Sequence, residues 1–76
     1  MPRYFFNVDG EPPDSEGLEL PDSDAARAEA IRAAGEMLRD IDGAFDGGEW
    51  VMRVTEGDLP ILTLQFRAVE HAREPA

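Results

Sequence analysis

Cysteine and lysine are absent from this 76-residue chain, and histidine occurs once. Without thiols there can be no disulfide and no thiolate metal centre. A single histidine excludes a His-rich zinc site. It also leaves nucleophilic catalysis without its usual base, because His71 falls in the polar C-terminal stretch. Long hydrophobic runs are missing too, and nothing approaches the roughly 18 apolar residues of a membrane span. The opening MPRYFFNVDG carries one Arg and an apolar patch shorter than the about 7–15 residues of a signal peptide. No secretory leader is expected, and the expected compartment is the cytoplasm. Positive charge is scarce: seven basic residues, all Arg, stand against seventeen acidic ones, for a net charge of −10. Such a balance opposes phosphate backbones and anionic membranes. The expectation is no nucleic-acid and no membrane partner. Acidity keeps a small domain soluble, and it also suits a basic protein partner.

What is present reads as one small domain. Arg3 to Val8, aromatic and β-branched, predicts a first strand with Tyr4, Phe6 and Val8 on one side and Phe5 and Asn7 on the other. Residues 9–16 contain the Pro12-Pro13 pair and predict a loop. Gly17 to Leu20 alternates and predicts a short second strand, hairpin-paired with the first. After Pro21, Asp22 or Ser23 suits a helix N-cap, and Asp24 suits the positive end of the dipole. Ala25 to Asp40 predicts an amphipathic helix whose apolar sector holds Ala30, Ile31, Ala34, Met37, Leu38 and Ile41. Arg27 falls near the middle of that sector. Either its stem covers apolar surface while its head reaches water, or it contacts an anion or carboxylate. Gly35 lies at the sector margin, a place for close approach by another element or a tolerated cost. Gly43 suits the C′ position, followed by a loop carrying Phe45. Residues 49–55 and 61–66 predict two further strands around a turn at 56–60.

The expected fold class is therefore α+β: β-β-α-β-β, a four-stranded antiparallel sheet with one helix packed on one face. The domain is expected over 1–67, with 68–76 a disordered tail. The expected core is Tyr4, Phe6, Val8, Leu18, Leu20, the helix stripe, Trp50, Met52, Val54, Leu62, Leu64 and Phe66. The other sheet face is left uncovered, and its candidate interaction residues are Phe5, Asn7, Val51, Arg53, Ile61 and Thr63, with Thr55 and Gln65 beside them.

Chemistry-bearing constellations are weak. Asp9, Glu11, Asp14 and Glu16 crowd one loop, and Asp40, Asp42, Asp46 and Glu49 another, which reads first as solvated acid. The stretch DIDGAFDGGE has some likeness to a calcium loop, but Ala44 falls where an oxygen ligand is needed. Dinucleotide and P-loop glycine patterns are absent. Tyr4 and Phe6 lack the basic neighbours of an RNA-stacking platform, and Trp50 reads as core. No catalytic, cofactor-binding or metal-binding residue is expected. The protein is expected to be non-enzymatic, cofactor-free, and to bind a protein partner or a second copy through the open sheet face or a strand edge.

Taken together, MPRYFFNVDG, EGLELPDSDAARAEAIRAA and EWVMRVTEGDLPILTLQF resemble a family of short uncharacterised bacterial proteins, a domain of unknown function. Those proteins open with MPRYFFH and place an E-G-x-E-L-P-D segment before an Ala/Arg-rich helix. Two strands close the chain. Where that family has His, this chain has Asn7. The resemblance supports the fold and implies no activity. Residues 17–38 are also similar to HicB-type antitoxins, which set a strand and a PD-like turn before a helix rich in Glu, Ala and Arg. That likeness implies an antitoxin-like or regulatory inhibitor of a basic protein partner.

Overall fold

A computed structural model of the chain describes residues 1–40, 48–69 and 71–72. Five elements follow one another: β1 (Arg3–Val8), β2 (Leu18–Glu19), α1 (Ser23–Arg39), β3 (Gly48–Glu56) and β4 (Leu59–Ala68). They form one four-stranded sheet in the order β2-β1-β3-β4, and every neighbouring pair is antiparallel. The expected α+β order and sheet are thus the observed ones.

Alternation along β1 puts Tyr4, Phe6 and Val8 on the face that α1 covers, opposite Glu56, Val54 and Met52 of β3. The buried cluster is Tyr4, Ala26, Ala30, Ala34, Met52 and Val54, with Phe6, Leu20, Trp50, Leu62 and Leu64 packed against it. Asp22 caps α1, and its carboxylate accepts the Ala25 N–H at 2.9 Å. Acidic Asp24 in the first turn and Arg39 in the last complement the dipole.

The helix is rotated relative to the expected sector. Ala26, Ala30 and Ala34 are fully packed, whereas Ile31 is 56% exposed. Small side chains let α1 lie close to the sheet, so Ala26, Ala30 and Ala34 form the buried contact, with Met37 of the expected sector packed against it. Arg27 is consequently turned outward and exposed. Gly35 has open space where a Cβ would stand, so no neighbouring element explains it. Ile41, Gly43, Phe45 and the calcium-like stretch up to residue 47 lie outside the described residues.

β4 is longer than expected. It starts at Leu59, just after a two-residue Gly57-Asp58 turn, and runs to Ala68, where Arg67 and Ala68 pair with Glu49 and Gly48. Pro60 is tolerated because β4 is an edge strand and the ladder is irregular there. The register shifts between Val54 and Thr55, which pair with Leu62 and Pro60, leaving Ile61 as the extra residue. That bulge turns Ile61 to the helix side, where it packs against the core cluster. Ile61 therefore does not belong to the opposite face, as strict alternation had placed it.

Leu18 and Phe66 are also less buried than expected, at 43% and 45% exposed. Leu18 sits on the β2 edge while α1 packs over β3 and β4, so the helix does not reach it. Val69, His71 and Ala72, the described residues beyond β4, are exposed and outside regular structure.

Candidate functional site

The face away from α1 is shaped by how the β1–β2 loop ends. β2 pairs only with Arg3 and Tyr4, so β1 would otherwise present bare backbone from Phe6 onward. Asp14 takes over: its Oδ2 accepts the Phe6 N–H at 3.0 Å, and its own N–H donates to the Asn7 side-chain oxygen at 2.8 Å. Its Oδ1 accepts from Glu16 and Gly17 N–H at 3.2 and 3.0 Å. One carboxylate thereby closes the loop on itself and staples it to the strand. Partial burial pushes the Asp14 carboxyl up, but the Phe6, Gly17 and Glu16 N–H groups outweigh it, and the pKa lies below the ordinary carboxylate value.

Gly17 completes the loop with φ of 69°. A Cβ there would lie 2.9 Å from the Tyr4 carbonyl oxygen, Arg3 Cγ and Phe5 Cε1. Only glycine permits this approach, which holds the loop against Phe5. Arg3 adds an outer clasp, donating to the Glu16 carbonyl at 2.6 Å and to the Glu19 carboxylate at 2.9 Å.

Between this loop and the β3–β4 turn lies a groove of about 460 Å³, lined by Phe5, Asn7, Pro13, Asp14, Thr55, Gly57 and Asp58. It is open and mostly apolar, and the charged residues that line it, Asp14 and Asp58, are both acidic. Asp14 is committed to backbone donors; Asp58 lies in the exposed turn. Neither His nor Cys lines the groove. Among the described residues there is no group of three or more His, Asp or Glu side chains placed to hold a metal ion.

The sequence-predicted interaction residues scatter across this face. Phe5 and Asn7 line the groove, half-buried. Arg53 is exposed and ion-paired with Asp9 across the β1–β3 ladder. Thr63 is exposed on β4. Val51 is only 6% exposed on its central strand, so it is a packed residue and not a contact surface. Ile61 lies on the other side, through the bulge. Arg27 is exposed on α1, and among the described residues no carboxylate pairs with it. Pro13, Asp14, Gly57 and Asp58 were missed. They belong to a loop and a turn, where periodicity assigns no face, although the Asp14-x-x-Gly17 spacing is a turn signal that could have pointed to them.

No helix among the described residues is long and apolar enough to cross a membrane. No curated protein matches this chain, and no solved structure does. A family model, that of a domain of unknown function, DUF6894, matches residues 3–67. The match covers β1 through the end of β4's pairing with Glu49, most of the 76-residue chain. With the helix, the loop that closes on Phe6 and all four strands but for the last residue of β4 inside the matched span, this chain belongs to the DUF6894 family.

Proposed function

We propose that this protein is a small non-enzymatic interaction module that receives a basic segment of a protein partner in the groove between the β1–β2 loop and the β3–β4 turn. One observation carries the reading: Phe5 and Pro13 line the groove together with Asp14, whose carboxylate is held by backbone donors, and Asp58, in the exposed turn. That combination suits an Arg or Lys side chain, whose stem is apolar and whose head is cationic. The net charge of −10 steers the same class of partner.

The test is amide chemical-shift mapping with short peptides carrying a single Arg beside apolar residues, and acidic peptides as the control. Shifts are expected at Phe5, Asn7, Thr55 and Gly57, weakening with salt and disappearing in Asp58→Lys. Equal shifts from the acidic peptides, or shifts centred elsewhere, would refute the reading.

A further inference from the structure

The two edges of the sheet are built differently. β2 is two residues long, includes Glu19, and lies between Gly17 and Pro21. That is a blunted edge of the kind proteins use to prevent strand addition. β4 is ten residues long, and no described strand pairs with its outer side. Its guards, Pro60 and the bulge beside it, sit at one end. Past the bulge, from Leu62 to Gln65, there is no charge, no proline and no glycine. This stretch offers an unprotected template for another strand.

A second feature overhangs the same edge. β2 and β3 run parallel with β1 between them, and such a crossover through α1 is right-handed. In that hand, one step of about 100° from sheet-facing Ala30 turns toward β4. Ile31 is therefore directed over the β4 side, and it is 56% exposed.

We propose that two copies of this chain pair antiparallel through β4, centred near Thr63, giving one eight-stranded sheet about a twofold axis normal to it. The axis keeps both helices on the same face. With strands about 4.8 Å apart and α1 lying over β3 and β4, the two helix axes come within about 10 Å, the spacing of packed helices. The Ile31 side chains then meet across the axis. A bound peptide strand would satisfy the β4 edge and leave Ile31 bare, so a second copy accounts for both features. The uncharged strip also explains how two chains of charge −10 approach there. This surface is separate from the groove.

Sedimentation equilibrium over a concentration series, with hydrogen exchange of the 61–65 amides, tests it. A dimer is expected, with those amides slowing as concentration rises. Ile31→Glu and Thr63→Lys, both at exposed positions, should each weaken it at least about tenfold while circular dichroism stays native. Asp58→Lys should leave it intact. A monomer at roughly millimolar concentration overturns the proposal. So does a dimer indifferent to both β4-side changes, or one abolished by Asp58→Lys alone.

Discussion

The Asp14 carboxylate stands 3.0 Å from the Phe6 amide nitrogen and occupies the place that Glu16 would have filled had β2 continued along β1 in the same register. A side chain thus finishes a ladder that the backbone leaves incomplete. Removing it strands a part-buried N–H, whose loss costs about 1–3 kcal/mol. Asp14→Ala is expected to lose about that much in urea unfolding with little change in slope. It should also release the loop, seen as faster exchange at Glu16 and Gly17 amides. Wild-type exchange there would contradict the stapling role.

The same carboxylate sets an acid limit. Its folded pKa is lowered from 3.8, so the unfolded chain binds the proton more readily. The stabilisation is complete above the unfolded value and fades as pH falls through the lower folded one. The stability gap between wild type and Asp14→Asn should therefore hold above about pH 5 and shrink as pH falls through 3.8 and below. A gap of constant size would remove the carboxylate's charge from the account.

Gly17 and Gly35 should respond to alanine in opposite directions. At Gly17, φ is 69° and the new Cβ would press on the Tyr4 carbonyl at 2.9 Å, a backbone atom with little room to move. A cost of about 2 kcal/mol or more is expected. At Gly35, mid-helix and open to solvent, alanine should add about 0.5–1 kcal/mol. Thermal unfolding of the two variants side by side gives the comparison, and a matching sign would undo it.

Tyr4 sets the alkaline limit. It is 1% exposed. Burial first, then the hydrogen bond to Glu56 and the charges of Glu56 and Asp22, push its phenol above 10.0. A raised folded pKa means stability that is full below the unfolded value and is lost as pH rises through the folded one. Stability should fall above about pH 10 in wild type and fall less in Tyr4→Phe. Identical alkaline profiles would exclude Tyr4 as the cause.

Much of the scaffold could be read in advance because its cues are local. Asp22 ahead of an alanine-rich run marks a helix start wherever it occurs. Alternation in β1 and β3 assigns Tyr4, Phe6, Met52 and Val54 to one face. The groove was only half legible. Phe5 and Asn7 belong to a strand and follow its period; Pro13, Asp14, Gly57 and Asp58 belong to connections, which have none. Ile61 shows the other failure. A single extra residue in β4 reverses the face of a side chain, and a bulge leaves no mark that alternation can detect.

Taken alone, the amino-acid order determined the element types, the two-layer α+β arrangement and the excess of acid, since propensity, capping and charge depend on neighbours along the chain. Tertiary packing decided that alanines rather than Ile31 meet the sheet, that Asp14 finishes the β1 ladder, and that β4 is the longer of the two edge strands among the described residues. Those outcomes depend on how closely two elements approach and which strand ends first, quantities set by contacts between residues far apart in sequence.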